Sequence, residues 1–375
     1  MIDKIVYMDN AATTRVDDDV LAEMILYMSE LYANSSSSHD LGVKVNNDVK
    51  RARENVARLL NTYPDHITFT SGATESLNTI IKGLASANRS RRNQIITVGT
   101  EHSAVLNTCK FLESQGIEII YLPVLETGLV NENILNEVIS EKTLLVCVML
   151  ANNETGVIQP IRKICELAHR VGAYFLTDAT QAVGKIPIDV VELGIDFLVF
   201  SGHKFHGPKG IGGYYYKEKT VKMDALIHGG GQEESRRSGT LNVPGIIGLG
   251  KSSQIAIHNM KRDEQYVKEL RDLLELELLK FKGTFINGHR KLRLFNITNI
   301  CIPNIEADVF IKMLGNICVS NGSACHSALI EPSHVLSEMG LGNSEAFSSI
   351  RFSLSKYNTR EEIYYTVDKI NKLIY

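Results

Sequence analysis

The sequence predicts an α/β fold with a large domain on a mainly parallel seven-stranded sheet and a smaller α+β domain. Three observations predict it. Short β-rich runs alternate with helical patterns along the first two thirds of the chain. Several of these runs are apolar throughout, as expected for strands that are covered on both faces. The pattern changes after about residue 255, where a long charged helical stretch begins.

The strands of the sheet are predicted from short apolar runs, and the helices from apolar residues at steps of three and four. One such helical pattern runs from Val45 to Leu60. Helices between strands predict a parallel sheet with a helical layer on each side. The predicted strands are 67–70, 94–98, 117–122, 144–150, 173–177, 196–200 and 211–216.

The second domain is predicted from the last third of the chain. It comprises a helical stretch over 260–281, strands in 294–302 and 348–354, a helix over 306–314 and a closing helix from near Thr359. We therefore expect a large domain over 15–255. The small domain is expected to combine 1–14 with 256–375, and to carry a mobile loop at about 320–332.

Composition and charge exclude several classes of protein. The 375-residue chain is 44% hydrophobic with a formal net charge of −3, which gives no electrostatic reason to expect direct binding of nucleic acid. No stretch approaches the apolar length of a membrane span. The first residues lack the basic start and apolar run of a signal peptide, so we expect a cytoplasmic protein.

The cysteines and histidines do not predict a metal site. Five of the six cysteines lie in apolar or amphipathic segments, which is typical of buried thiols rather than of a disulfide framework. The chain contains no C-x-x-C motif. His203 and His206 lie three positions apart, but no third ligand is evident nearby.

Polar side chains follow the predicted strands. Ligands of open α/β sheets bind outside the carboxyl ends of the strands, so these residues are candidates for a site. They are Ser71, Gly72, Ala73 and Thr74 after the first strand, then His102, Asn152 and Asn153, Asp178 and Gln181, and finally Ser201, His203 and Lys204.

Taken singly, each of these residues has an ordinary alternative. A helix that starts with Gly-Ala-Thr can hold a phosphate, or the hydroxyl residue at its start can cap the helix and have no other role. Lys204 is either a desolvated nucleophile or a surface lysine beside a glycine-rich turn. A Schiff-base lysine, an acid for a pyridinium nitrogen, a stacking ring and a hydroxyl-lined phosphate cup together describe a pyridoxal phosphate site.

Cys325 differs from the other five cysteines. Its neighbours, in "SNGSACHSAL" over 320–329, are small or polar and cannot build a core around it. A thiol in such a loop is either accidental or a reactive group.

The chain resembles the cysteine desulfurases of the NifS/IscS group, within the fold-type I pyridoxal phosphate enzymes related to class-V aminotransferases. The resemblance covers nearly the whole chain. It is carried, in order, by "YMDNAATT" (7–14), "SGATES" (71–76), "TEHSAV" (100–105), "NNETG" (152–156), "DATQAVGK" (178–185), "SGHKFHGPKG" (201–210), "GGGQE" (229–233), "RRSGTLN" (236–242), "GSACHS" (322–327) and "SIRFSL" (349–354).

The resemblance implies a role for each candidate residue. Lys204 forms the Schiff base, Asp178 pairs with the pyridine nitrogen, and His102 stacks on the ring and assists proton transfer. Gln181, with Asn153 nearby, contacts the phenolic oxygen. Arg351 binds the substrate carboxylate, with Asn34 helping to seat the substrate. The phosphate is held by Ala73, Thr74, Ser201 and His203, and by Thr240 of a second subunit, which implies a homodimer.

The implied reaction converts L-cysteine to L-alanine. Cys325 is the implied nucleophile, which takes the sulfur as a persulfide and passes it to an acceptor protein. Iron–sulfur cluster assembly, tRNA thiolation and DNA phosphorothioate modification all remain open as destinations of the sulfur. The alternatives are a selenocysteine lyase or another lyase or aminotransferase on the same fold, and a sulfur-carrier scaffold without activity. A strict aminotransferase has no use for Cys325.

Overall fold

The strands of the described residues form a seven-stranded central sheet and two smaller sheets. The computed structural model describes residues 5–217, 221–322 and 331–374. The strands are β1 Val6–Tyr7, β2 Ile67–Thr70, β3 Gln94–Val98, β4 Glu118–Leu122, β5 Thr143–Cys147, β6 Tyr174–Asp178, β7 Phe197–Ser201, β8 Gly212–Tyr216, β9 Phe285–Asn287, β10 Ile297–Cys301, β11 Ile317–Cys318 and β12 Ser349–Ser353.

Helices pack against the central sheet, and others belong to the second domain. The α-helices are α1 Asp18–Ser29, α2 Asp40–Leu59, α3 Ala73–Asn88, α4 Ser103–Glu113, α5 Glu132–Val138, α6 Ile161–Arg170, α7 Val243–Leu278, α8 Ala307–Leu314, α9 His334–Glu338, α10 Asn343–Phe347 and α11 Arg360–Ile374.

The central sheet has seven strands in the order β2-β8-β7-β6-β5-β3-β4. Strand β8 is antiparallel to both of its neighbours, and the other pairs are parallel. Every residue of β2, β3, β5, β7 and β8 is buried, and their sequences are accordingly mostly apolar, without a regular alternation of apolar and polar residues. The prediction of a mainly parallel seven-stranded sheet is confirmed.

Three strands of the central sheet end at different residues from those predicted, among them β7, which continues to Ser201. Strand β6 continues to Asp178, which pairs with Val199 of β7, so this acid is the last residue of the strand. Strand β5 ends at Cys147, before the predicted end at 150. The next residues still follow β6, since the N–H groups of Val148 and Leu150 donate to β6 carbonyls at 3.0 and 2.9 Å.

Helix α7 runs through the boundary predicted at 255. It begins after Asn242, whose Oδ1 accepts a hydrogen bond from the N–H of Gly245 at 3.1 Å. The first half of α7 packs so closely on α2 that a Cβ on Gly250 would lie 2.6 Å from Ala52 Cα. The second half contributes Val267 and other apolar residues to the core of the small domain.

The small domain is built on an antiparallel sheet in the order β12-β10-β9. Near the N-terminus, β1 pairs in parallel with β11, and Val6 and Met8 are buried in the core of this domain. The predicted assignment of 1–14 and 256–375 to one domain remains a prediction, and these contacts support it. Among the described helices, none is long and apolar enough to cross a membrane.

Candidate active site

A cleft of about 640 Å³ opens at the carboxyl ends of the parallel strands. Strand ends of the large domain form its floor, while the N-terminal segment and β12 of the small domain form a wall. The predicted residues that line it are Ala73, Thr74, His102, Asn153, Asp178, Gln181, Ser201, His203, Lys204 and Arg351. The topology therefore brings together side chains from positions that are far apart in the sequence.

Two described residues among those predicted do not line this cleft. Thr240 is exposed at the surface of the chain, and Asn34 is exposed in a turn where its Oδ1 accepts a hydrogen bond from the N–H of Ser36 at 2.9 Å. Cys325 lies outside the described residues.

Lys204 follows β7 in a short 3₁₀ turn over Gly202–Lys204. Its Nζ donates hydrogen bonds to the backbone carbonyls of Ala11 and Ala12 at 2.7 and 2.8 Å. Burial and the positive charge of Arg351 together lower the pKa of Lys204 to about 8, although Asp178 and Asp9 oppose the shift. A larger fraction of this lysine is therefore the neutral, nucleophilic amine near neutral pH than for an ordinary lysine.

Asp178 lies at the end of β6 and is only 7% exposed. Its Oδ1 accepts a hydrogen bond from the N–H of Thr180 at 2.9 Å. Close by, Gln181 donates through Nε2 to the carbonyl of Ala11 at 2.9 Å, while its buried Oε1 has no partner within the described part of the chain. The cleft floor therefore offers a carboxylate and an unused amide oxygen.

His102 begins α4 as its N-cap residue. Its Nδ1 accepts a hydrogen bond from the N–H of Ala104 at 3.1 Å, which places the proton of the neutral ring on Nε2. Desolvation lowers the pKa of His102, and Lys204 acts in the same direction while Asp178 opposes it. A neutral imidazole is thus favoured at the cleft wall.

The N-terminus of α3 forms one end of the cleft. Its N-cap Gly72 has φ +154° and ψ −176°, a conformation that is essentially restricted to glycine. Ala73 and Thr74 follow in the first turn, where backbone N–H groups are free to bind an anion. Ser201 approaches from β7, since a Cβ on Gly72 would lie 3.5 Å from its Oγ.

His203 also lines the cleft, two residues after Ser201. Its Nδ1 is 3.1 Å from Thr13 Oγ1. Burial lowers the pKa of His203 to about 4, with further contributions from Lys204 and other lysines. His203 is therefore a neutral hydrogen-bonding group at physiological pH.

Arg351 projects from β12 into the cleft and is held on two sides. Its Nη1 donates to the carbonyl of Asn153 at 2.9 Å, and its Nη2 donates to Asp9 Oδ1 at 2.7 Å. The Nε atom is buried and has no partner among the described residues. This guanidinium is suited to a carboxylate, because a planar fork with a spare N–H can bind an anion with defined geometry.

Sequence reasoning missed the contribution of the N-terminal segment. Asp9 holds Arg351, the carbonyls of Ala11 and Ala12 hold Lys204, and Thr13 contacts His203. The signal available was the stretch "YMDNAATT", whose acid and hydroxyl groups follow a short apolar run.

Glu101 was also missed as a member of this region. It is fully buried directly before His102. Burial raises the pKa of its carboxyl well above the usual range, and the negative charge of Asp178 adds to the effect. Glu101 is therefore a neutral acid beneath the cleft, and an acid within the strand-end motif "TEH" was its sequence signal.

Comparison with known proteins gives one consistent result. The aminotransferase class-V family model matches residues 6–365. The cysteine desulfurase IscS of Methanosarcina thermophila is 44% identical over 373 residues, which are 99% of this chain and 92% of that protein. The chain belongs to the cysteine desulfurases of the class-V aminotransferase family.

Solved structures agree with this assignment to the cysteine desulfurases. A structure described as a NifS-like protein superposes with a TM-score of 0.93 at 40% identity, covering 99% of both chains. A structure described as SspA in complex with cysteine superposes with a TM-score of 0.85 at 36% identity, covering 94% of this chain and all of that one. The predicted family, fold and activity are confirmed, and the chain is an enzyme.

Proposed function

We propose that this cysteine desulfurase binds pyridoxal phosphate at Lys204, takes L-cysteine as substrate, and transfers the sulfur to Cys325 with release of L-alanine. One observation carries the proposal. A single cleft contains a lysine with a pKa lowered to about 8 and an arginine with an unused N–H. The first suits attachment of an aldehyde, and the second suits the carboxylate of an amino acid.

The cleft fits this cofactor. The buried Oε1 of Gln181 has no partner among the described residues, and helix α3 begins in the cleft at Gly72, where the first N–H groups of a helix can bind an anion. When bound, the cofactor supplies an aldehyde carbon that combines with amines and a ring that withdraws electrons from the substrate α-carbon.

The cofactor's charged groups match residues of the cleft. Asp178 would pair with the pyridine nitrogen, and Gln181 and Asn153 would face the phenolic oxygen. His102 would stack on the ring. The phosphate would bind the N-terminus of α3 at Ala73 and Thr74 together with Ser201 and His203.

The protein's own groups perform the remaining tasks. Arg351 fixes the carboxylate of L-cysteine, and the neutral amine of Lys204 accepts the proton from the substrate α-carbon. The thiolate of Cys325 attacks the substrate sulfur, so that an S–S bond forms as the C–S bond breaks. The electron pair of that C–S bond stays with the carbon fragment, which is protonated and released as L-alanine.

Thr240 supports a homodimer. It lies on the surface rather than in the cleft of its own chain, so it would reach the phosphate of a partner subunit. The neighbouring Arg237 joins this segment to the cleft, because its Nε donates to Glu75 Oε1 in the first turn of α3 at 2.9 Å. A segment anchored beside the phosphate turn is well placed to contribute across a subunit interface.

The persulfide on Cys325 would pass to a sulfur-acceptor protein. A cytoplasmic location suits this role, and four described cysteines that are buried as free thiols fit a reducing compartment. They are Cys109, Cys147, Cys165 and Cys301.

The test uses the full-length protein loaded with pyridoxal phosphate. The wild-type protein should be yellow, should bleach with borohydride, and should release alanine and form a persulfide from cysteine. Cys325→Ala should keep the colour and lose persulfide formation and alanine release. Undiminished alanine release by Cys325→Ala would refute the role of this thiol. Lys204→Ala should lose alanine release, and full activity of this variant would refute the role of the lysine.

A further inference from the structure

Glu154 is a buried acid that the proposed reaction does not use. It lies in the turn after β5, within "NNETG", and only 1% of its surface is exposed. Its backbone N–H is fixed by Asn152 Oδ1 at 2.8 Å. Burial raises the pKa of Glu154. Burial of an acid costs free energy unless its carboxyl group is hydrogen-bonded or paired.

The carboxyl group of Glu154 contacts two segments that are eleven residues apart in the sequence. Ser333 Oγ donates a hydrogen bond to Glu154 Oε2 at 2.5 Å. Gly322 packs against the same group, since a Cβ at this position would overlap Oε2 and would lie 2.6 Å from Cδ. Gly322 and Ser333 bracket the stretch 323–332, which contains Cys325.

Both bracketing segments are tied to the active site by other contacts. Before Gly322, Ser320 pairs with Arg351 through backbone hydrogen bonds of 2.6 and 3.2 Å. After Ser333, His334 Nε2 lies 3.0 Å from the carbonyl of Glu101. The two ends are therefore anchored separately, and among the described residues the carboxyl group of Glu154 contacts both of them.

The turn of Glu154 also contacts the residue that would bind substrate. The carbonyl of Asn153 accepts the hydrogen bond from Arg351 Nη1 at 2.9 Å. One turn thus holds the carboxylate-binding arginine through Asn153 and both ends of the Cys325 segment through Glu154.

We propose that Glu154 is a positioning residue for sulfur transfer, which joins Gly322 to Ser333 and so fixes the two ends between which Cys325 is held. The proposal rests on the proposed function, in which Cys325 accepts the sulfur. It assigns Glu154 no contact with substrate or cofactor.

The first test separates sulfur transfer from the earlier steps in the holoenzyme. Exchange of the cysteine α-proton with deuterated solvent reports on Lys204 and Arg351, while single-turnover persulfide formation reports on Cys325. We expect Glu154→Ala to slow persulfide formation by about 10- to 100-fold, since misplacement of a reacting group by about 1 Å has effects of this size. Proton exchange should stay within about twofold of wild type, because no group that acts in that step is changed.

Two variants serve as controls for Glu154→Ala. Glu154→Gln keeps the size and an acceptor oxygen, so it should restore most of the persulfide rate. Glu166→Ala, at an exposed acid of α6, should leave both rates unchanged. A persulfide rate for Glu154→Ala within twofold of wild type would overturn the proposal, as would equal losses in both rates or a Gln variant as slow as the Ala variant.

A glycine pair tests the same contact without removing the acid. Gly322 has φ +79° and Gly340 has φ +88°, so an alanine is strained by the backbone at both positions. Only at Gly322 would the added Cβ meet Glu154, because nothing lies within 4 Å of it at Gly340. Gly322→Ala should therefore slow persulfide formation selectively, and Gly340→Ala should not. Equal persulfide rates in the two variants would overturn the proposal.

Cys325→Ala distinguishes failure of this inference from failure of the proposed function. Full alanine release by Cys325→Ala would refute the proposed function and, with it, the inference. Loss of persulfide in Cys325→Ala together with wild-type persulfide rates in Glu154→Ala and Gly322→Ala would refute the inference alone.

Discussion

Arg351 and Asp9 form an ion pair in the wall of the cleft, with 2.7 Å between Arg351 Nη2 and Asp9 Oδ1. The pair joins β12 to the N-terminal segment, and the side chain of Arg351 is only 6% exposed. Nη1 and Nη2 each donate one hydrogen bond to a protein group, and the buried Nε has no partner among the described residues. The fork is therefore preorganised before a substrate binds, which reduces the cost of ordering it.

Arg351→Lys should weaken binding of L-cysteine. A lysine is a point charge and cannot hold Asn153, Asp9 and a carboxylate with the geometry of a guanidinium. The loss of a charged hydrogen bond is about 1.5–3 kcal/mol, so KM should rise by about 10- to 100-fold. Steady-state kinetics of alanine release measures it. Arg293→Lys is the control, because Arg293 is equally buried in an ion pair with Glu275. An unchanged KM for Arg351→Lys contradicts the assignment.

The attachment of the cofactor should depend on pH through Lys204. The neutral amine is the reactive form, so the rate at which the apoprotein captures pyridoxal phosphate should rise with pH to an inflection near the lysine's pKa of about 8. Arg351→Gln should move the inflection upward, because the positive charge of Arg351 helps to lower this pKa. Absorbance of the bound cofactor follows the rate. An inflection near the ordinary lysine value of 10.5 would show that the amine is not desolvated.

Because of Lys185, the free energy of unfolding of the apoprotein should increase as the pH rises. Burial lowers the pKa of Lys185 from 10.5 to about 7. Between these two values the unfolded chain holds a proton at this position that the folded chain does not. The free energy of unfolding therefore increases with pH across this window.

Lys185→Met should flatten that pH dependence. Denaturant unfolding of the apoprotein at several pH values measures the slope for both proteins. Lys268→Met is a control at an exposed lysine and should keep the wild-type slope. If Lys185→Met and the wild-type protein have the same slope, the amine of Lys185 is charged in the folded state.

Gly72→Ala should weaken binding of pyridoxal phosphate. The conformation at Gly72, with φ +154° and ψ −176°, costs other residues about 1–3 kcal/mol, and relief of that strain would displace the N–H groups at the start of α3. Fluorescence titration of the apoprotein measures the change in Kd. Gly340→Ala is the control, since it is strained at φ +88° but lies outside the cleft. Equal affinities of the two variants would exclude a phosphate site at this turn.

The sequence predicts the central sheet well because each buried strand is a short apolar run. It also predicts most of the cleft, since Asp178, His102 and Lys204 each follow such a run and the parallel topology places strand ends side by side. Contacts between residues far apart in the sequence could not be predicted in this way. Nothing local to Ala11 and Ala12 indicates that their carbonyls bind Lys204, because small apolar residues carry no chemical signal of their own.

Helix α7 shows why the element boundaries were harder to predict. Its first half contains Gly245, Gly248 and Gly250, which lower helix propensity, so the charged pattern indicated a helix only from residue 260. In the folded chain, the missing side chain at Gly250 allows close approach to α2 at Ala52. Tertiary packing offsets the poor propensity, and such packing is not visible in a local pattern.

The central claim is that Lys204 carries the cofactor and Cys325 accepts the sulfur. Peptide mapping of one sample of holoenzyme tests both roles most directly. The protein is reacted with cysteine in a single turnover and divided in two. One half is alkylated to mark persulfides, and the other is reduced with borohydride to fix the cofactor. We predict one added sulfur atom on the peptide of Cys325 and the cofactor on the peptide of Lys204. Sulfur on Cys318 instead, or the cofactor on Lys185 or Lys209, would contradict the account.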